Sequence, residues 1–126
     1  MKKNSLKNSC SAAGFSLSEL LERVEDDREL LYELVSIFKT EFPRQLEELR
    51  DAVARQEVAR VVSLSHALKG MLTNLAVKGA AKGAFALEML ARQGDPSLLP
   101  KAFADFERQV QGLLPEMEAC LAEARA

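Results

Sequence analysis

Three residues of one short stretch, His66, Lys69 and Gly70, have types and a spacing that could support chemistry on a helix surface. Residues three and four positions apart are neighbours on a helix, so these three share one face. An exposed imidazole is a nucleophile near neutral pH, and a nearby ammonium group can hold an anion that is attached to the ring. The stretch is therefore a candidate site for an anionic group on the only histidine of the sequence, although these residues do not by themselves distinguish it from an ordinary surface histidine.

Helix geometry predicts which way this site faces. The apolar residues of the stretch form one stripe within roughly 60° of Leu68, at Val61, Leu64, Met71, Leu72 and Leu75. His66 falls about 160° from Leu68, so its ring should point to solvent. Its neighbours there are small: Ala59, Ser63, Gly70 and Thr73. The alternative is an ordinary surface histidine, but the small residues and Lys69 favour a site that a macromolecule can reach.

Composition excludes several classes of function. The 126 residues are 48% apolar and 29% charged, with a net charge of −2, as in an ordinary globular protein, and 15–126 fit one domain. No basic stripe predicts nucleic-acid binding, and no apolar run reaches the ~20 residues that cross a membrane. Cys10 and Cys120 lack metal-ligand spacing and are predicted to be free thiols, and neither a metal nor a cofactor is expected. We expect a cytoplasmic monomer.

Helices should position the site. Residues 1–14 lack periodicity and are predicted to be a flexible leader. A capping-box pattern from Ser16 to Glu19 predicts a short helix over 16–24, and the acidic pair before Arg28 begins a much longer one. Apolar steps of three and four then continue in four segments, at 31–53, 58–77, 80–92 and 100–124. No alternating pattern suggests a strand.

Proline and glycine predict where these helices bend or end. Pro43 should kink or briefly break the long helix near residues 40–42, with a kink favoured, and Pro115 should bend the last one. Gly79 should mark the turn after the His66 helix, and Gly94 the end of the next one. Long amphipathic helices with short connections predict an all-α fold, an antiparallel up-and-down four-helix bundle capped by the short first helix.

The sequence resembles the histidine phosphotransfer (HPt) domains of multistep phosphorelays. The segment HALKG at 66–70 matches the signature His-x-Leu-Lys-Gly, and NL at 74–75 and LE at 87–88 match the segments that follow it. Upstream, 27–31 and 38–43 match the Asp-x-x-Leu-Leu opening and the Phe-x-x-x-x-Pro kink. The resemblance covers about residue 15 to the last residue.

The resemblance implies a role for each matching residue. His66 would exchange a phosphoryl group with the aspartate of a receiver domain, in a response regulator or a hybrid sensor kinase. Lys69 would balance the phosphoryl charge and Gly70 would leave room for it. Glu88 would hydrogen-bond one imidazole nitrogen, and Arg92 occupies a position that is basic in some members. Ala76 and Met71 depart from the family, which has glycine and a small residue there.

The helix over 80–92 suggests where a partner would bind. Its buried side carries Leu87 and Leu90, and Phe85 and Met89 fall away from that side, together with Glu88 and Arg92. We expect Phe85 and Met89 to form part of a docking patch, with Arg92 and Thr73 beside them.

The sequence lacks the motifs of a nucleotide-binding enzyme. It carries no Walker-type or Gly-rich nucleotide motif, so we expect a phosphoryl carrier without kinase activity, with magnesium bound by the partner. The alternative is a helical adaptor that binds a receiver or kinase domain and does not use the histidine. A metal or cofactor bundle is disfavoured, because no Glu-x-x-His pair is present.

Overall fold

The computed structural model describes residues 15–125, which form helices joined by short turns and contain no strand. The helices, in chain order, are α1 (Leu17–Arg23), α2 (Arg28–Ala54), α3 (Val58–Asn74), α4 (Lys78–Arg92), a 3-10 turn (Pro96–Leu98), α5 (Leu99–Val110) and α6 (Leu113–Arg125). The predicted all-α class is confirmed. The predicted leader, 1–14, lies outside the described residues.

Side-chain caps begin the first two helices, as the capping patterns predicted. Ser16 Oγ accepts a hydrogen bond from the backbone N–H of Glu19 at 3.2 Å, at the start of α1. Asp27 Oδ1 accepts one from the N–H of Leu30 at 3.1 Å, at the start of α2. Each cap satisfies a backbone donor that has no partner within its own helix.

Helix α2 is continuous through Pro43, so the brief break that was one of the two expected outcomes does not occur. Phe38 and Phe42 stack with their ring centroids 4.6 Å apart on the buried side of the helix, in the turn before the proline. The apolar residues that are spaced by three and four positions on both sides of Pro43 therefore belong to one helix.

Contacts between helices give the direction of two pairs. In α3 and α4, His66 contacts Glu88 while Lys69, further along α3, lies over the ring of Phe85, earlier in α4. These two helices therefore run in opposite directions. Lys39 pairs with Glu118, whereas Arg50, later in α2, pairs with Glu107, earlier in the chain, so α2 runs opposite to the α5–α6 segment taken as a whole. For the remaining pairs, the up-and-down order stays a prediction.

The last predicted helix is two helices, and the sequence located its interruption wrongly. The chain leaves α5 at Gln111 and turns at Gly112, whose φ of +84° is a left-handed conformation that suits glycine. Pro115 lies in the first turn of α6, where proline costs no internal hydrogen bond. The apolar seam nevertheless continues across the break, since Phe106, Val110 and Leu113 are all buried.

The turn between α3 and α4 is also placed differently from the prediction. Gly79 lies inside α4, and the left-handed residue of the turn is Ala76, with φ +59°. The N–H of Ala76 bonds to the carbonyl of Thr73 at 3.0 Å, and the N–H of Val77 to that of Leu72 at 2.9 Å. This is a Schellman ending, which glycine usually supplies. Ala76 thus adopts the conformation expected of the glycine that it replaces.

One core lies between these helices. It includes Phe15 and Leu20 from the first helix region, Leu31 and Leu49 from α2, Leu68, Leu87 and Leu99, all buried. None of the helices in residues 15–125 has a stretch long and apolar enough to cross a bilayer. Cys120 is disulfide-bonded, so the prediction of a free thiol there is wrong, and Cys10 lies outside the described residues.

Candidate functional site

His66 lies on the solvent side of α3, opposite Leu68, as the helix geometry predicted. Leu68 is fully buried, whereas the His66 side chain is 63% exposed. Its Nδ1 lies 3.3 Å from both carboxylate oxygens of Glu88 on α4. A ring with Nδ1 facing a carboxylate keeps its proton on that nitrogen, which leaves the lone pair of Nε2 for an electrophile.

Glu88 is the buried centre of the charged residues at this site, with 4% of its side chain exposed. Arg92, one turn later in α4, donates to Oε2 through Nε at 3.1 Å and Nη2 at 2.7 Å. Lys69 Nζ lies 3.7 Å from Oε1. The hydrogen bond from Arg92, followed by those of His66 and the charge of Lys69, lowers the pKa of Glu88, although burial opposes the shift. The carboxyl group is therefore an anion at neutral pH.

This burial corrects one part of the sequence analysis. Helix periodicity placed Glu88 with Phe85, Met89 and Arg92, away from the buried side of α4. Those three are exposed in the structure, Phe85 at 46% and Met89 at 43%, but Glu88 is covered. Its cover includes side chains of another helix, which periodicity within α4 cannot predict.

Lys69 has two partners. Its ammonium lies 3.7 Å from Glu88 Oε1 and 4.9 Å from the ring centroid of Phe85, within the range of a cation–π interaction. Only 30% of its side chain is exposed. The lysine is thus held at the α3–α4 contact.

The surface beside His66 is open. A Cβ built on Gly70 would meet no atom of the described part of the chain within 4 Å, so this mid-helix glycine leaves space beside it. Ser63 and Thr73, on the same side of α3, are exposed as predicted. A group attached to the imidazole would therefore have room on the side of α3 that faces solvent.

The small residues of α4 bring that helix close to its neighbours. Ala80 and Ala84 are fully buried. A Cβ on Gly83 would lie 2.5 Å from Gln109 Oε1, the end of a flexible side chain of α5, and 3.0 Å from Phe106 Cδ1, which is tighter than most real contacts. Because α5 supports α4 at this distance, Glu88 is carried to α3 on a packed helix and not on a loop.

Sequence reasoning did not single out Ser65, the neighbour of His66. Ser65 is fully buried, and its Oγ has no hydrogen-bond partner within residues 15–125. Its position about 60° from Leu68 on the helix would have placed it at the edge of the apolar stripe.

Residues 15–125 offer no group of three histidine, cysteine or acidic side chains that could hold a metal ion. The acidic side chain nearest to the imidazole, Glu88, is already occupied by cations. The chemistry that this arrangement supports is therefore that of an oriented imidazole with an anion behind it and cations beside it.

Comparisons with known proteins identify one family. The family model described as Hpt domain matches residues 33–126, which include every residue of the site. No curated protein and no solved structure matches the chain.

Proposed function

Because the chain belongs to the Hpt domain family, whose members transfer phosphoryl groups in phosphorelays, we propose that His66 carries the phosphoryl group. In this proposal His66 receives it from the aspartyl phosphate of a receiver domain, or donates it to one. The observation that carries the proposal is the imidazole itself, with Nδ1 3.3 Å from both oxygens of an ionised, buried carboxylate while the side chain is 63% exposed.

In the proposed transfer, Nε2 of His66 is the nucleophile and Nδ1 faces Glu88. The lone pair of Nε2 attacks phosphorus as the bond from phosphorus to the aspartyl oxygen breaks, and the aspartate leaves as a carboxylate. The proton on Nδ1 stays in place, so the ring becomes a phosphorylated imidazolium. Glu88 stabilises that positive charge through the hydrogen bond from Nδ1. The reverse step returns the electron pair to Nε2 when the receiver aspartate attacks.

Three further residues support the transfer. Lys69 is one helical turn from His66, where its ammonium balances the charge on the phosphoryl oxygens. Gly70 leaves the space that those oxygens need. Arg92 keeps Glu88 ionised, because its two hydrogen bonds are the largest cause of the lowered pKa of that carboxyl group.

A receiver domain would complete the site. Aspartyl-phosphate chemistry needs cations around the transferring group, and we propose that magnesium is bound by the receiver. The receiver would dock on the exposed Phe85 and Met89, with Arg92 and Thr73 at the edge of the contact. Two large exposed apolar side chains beside an accessible nucleophile suit a protein-binding surface.

Transfer from isolated receiver domains tests the proposal. The purified chain is incubated with a set of phosphorylated receivers, and the label that it acquires should be acid-labile and base-stable. In 1H–31P correlation spectra, phosphorus on Nε2 couples to both carbon-bound ring protons, whereas phosphorus on Nδ1 couples to one. With a single histidine in the sequence, the signal is assigned without ambiguity.

The variant His66→Gln should take no label and should unfold nearly like the wild type, because the side chain is exposed and glutamine keeps an N–H donor that can face Glu88. Lys101→Gln is the matched control, since its side chain is 86% exposed on α5, and it should transfer normally. Undiminished labelling of His66→Gln would refute the proposal. Receiver binding without any transfer would instead support the adaptor function.

A further inference from the structure

Phe85 is partly open to solvent and also contacts Lys69 of the neighbouring helix. It is 46% exposed, as a docking residue would be, yet its ring also lies under the ammonium of Lys69, 4.9 Å from the ring centroid. The second contact joins α4 to α3 and does not depend on a partner protein.

The two partners of Lys69 restrict a side chain that otherwise moves freely. A lysine side chain has four rotatable carbon–carbon bonds, and fixing them costs conformational entropy. The carboxylate of Glu88, 3.7 Å from Nζ, attracts the ammonium from one side, and the electron-rich face of the Phe85 ring attracts it from another. Nζ lies beyond hydrogen-bond distance of Glu88, so its N–H donors remain for a further acceptor.

We infer that Phe85 is a positioning residue for phosphoryl transfer, which holds the ammonium of Lys69 beside His66 before the phosphoryl group arrives. The inference rests on the proposed function. Without the ring, Lys69 retains its salt bridge to Glu88 but moves over a wider range, so its charge is less often available to the phosphoryl oxygens. In this positioning role, which is separate from docking, Phe85 acts through Lys69 and does not touch the reacting atoms.

This role can be separated from docking with a donor that has no docking surface. Phosphoramidate is a small donor from which Nε2 of His66 can take the phosphoryl group directly, with ammonia leaving as the new bond to phosphorus forms. The rate constant of this reaction reports Lys69 and Phe85 in the absence of any receiver. Phe85→Leu keeps an apolar side chain and removes the aromatic ring, and Phe85→Tyr keeps the ring.

We expect Phe85→Leu to lower this rate constant roughly two- to fivefold, the size of one exposed cation–π contact. Phe85→Tyr should react like the wild type. Ile37→Ala, which removes another exposed apolar side chain (Ile37 is 54% exposed) from α2, is the matched control and should also react normally. In the Lys69→Ala background, Phe85→Leu should cause no further decrease, because the residue that it positions is gone.

A decrease of the same factor in both backgrounds, or no decrease in either, would overturn the inference. The NMR signals of the Lys69 ε-methylene group supply a readout that needs no phosphorylation. They should be shifted upfield by the ring in the wild type and return to ordinary lysine positions in Phe85→Leu. Ordinary positions in the wild type would also overturn it. Normal reaction with phosphoramidate but none with any receiver would refute the proposed function and leave this inference standing.

Discussion

Helix α3 packs against both α2 and α4, and in each pair of helices one carboxylate binds the neighbouring cations. At the α2–α3 contact, Asp51 accepts hydrogen bonds from Arg55 Nε at 3.0 Å and Arg60 Nη1 at 2.9 Å. At the α3–α4 contact, Glu88 has Arg92 on its own helix and cations of α3 opposite. Each carboxylate thus has one partner in its own helix and at least one across the contact, and cations lower both pKa values.

Burial of the anion distinguishes the two contacts. The Asp51 side chain is 46% exposed, while that of Glu88 is 4% exposed. An exposed carboxylate that loses a cation gains water in its place, so such pairs contribute little to stability. A buried carboxylate cannot be rehydrated in the same way. Asp51 and its arginines therefore form an ordinary surface cluster. Glu88 is instead a buried anion that needs its cations and the imidazole as partners, and it holds them in place in turn.

Removing one arginine from each contact should show the largest difference. Arg92→Ala leaves the buried Glu88 with weaker partners and should lower the free energy of unfolding by about 2 kcal/mol. Arg55→Ala, its counterpart at the exposed contact, should give no resolvable change. Urea unfolding at pH 7 measures both. In 1 M salt the loss in Arg92→Ala should persist, because a buried pair is screened little. Equal losses in the two variants would remove the distinction.

Glu88→Gln should sharpen the comparison through pH. The folded-state pKa of Glu88 is lowered from 4.5, so the charged form stabilises the fold above that pH. This contribution disappears as the pH falls from 4.5 through the lowered pKa. The stability difference between wild type and Glu88→Gln should therefore be largest near neutral pH and shrink in acid. A difference that stays constant from pH 7 to pH 2 would mean that the charge of Glu88 does not contribute.

Helix periodicity was sufficient to predict the outward face of the site. Steps of three and four placed Leu68 in the core and His66 opposite, and they placed Phe85 and Met89 outside; all four positions agree with the structure. These predictions depend only on the rotation of one helix, a local property. The family resemblance supplied the roles, which the geometry is consistent with and which remain to be tested.

The wrong predictions concern features that depend on packing between several helices or on a left-handed backbone conformation. Glu88 is buried by groups that come partly from another helix, so no pattern within α4 could reveal it. The sequence predicts a bend at Pro115, whereas the chain turns at Gly112, whose left-handed φ residue type alone does not reveal. Ala76 turns the chain after α3 although its residue type gives no sign of a left-handed conformation.

Gly70 tests whether the α3–α4 site also requires open space. A Cβ there meets nothing within 4 Å, so Gly70→Ala should raise the free energy of unfolding by about 0.5–1 kcal/mol through better helix propensity. Its transfer rate should stay near that of the wild type. Gly70→Gln places a longer side chain beside His66 and should slow transfer without loss of stability. Unchanged transfer in Gly70→Gln would show that the glycine has no clearance role.

The turns at the two ends of α3 provide the smallest test. Helix α2 ends in a Schellman motif with Gln56 at φ +58°, and α3 ends in the same motif with Ala76 at φ +59°. A left-handed φ costs a residue with a Cβ about 1–2 kcal/mol. Glycine avoids this cost, but its greater conformational entropy in the unfolded chain offsets part of the gain in stability. Gln56 is exposed, so Gln56→Gly should stabilise the protein by about 0.5 kcal/mol.

Ala76 is 1% exposed, and its methyl group contributes about 0.8 kcal/mol by burial. In Ala76→Gly this loss should cancel the relief of strain, so the free energy of unfolding should not rise. Urea unfolding of the two variants under identical conditions makes the comparison, since both place glycine in the same motif. A clear gain in Ala76→Gly would mean that its methyl group packs poorly, and that the buried turn after α3 tolerates glycine as readily as the exposed turn after α2 does.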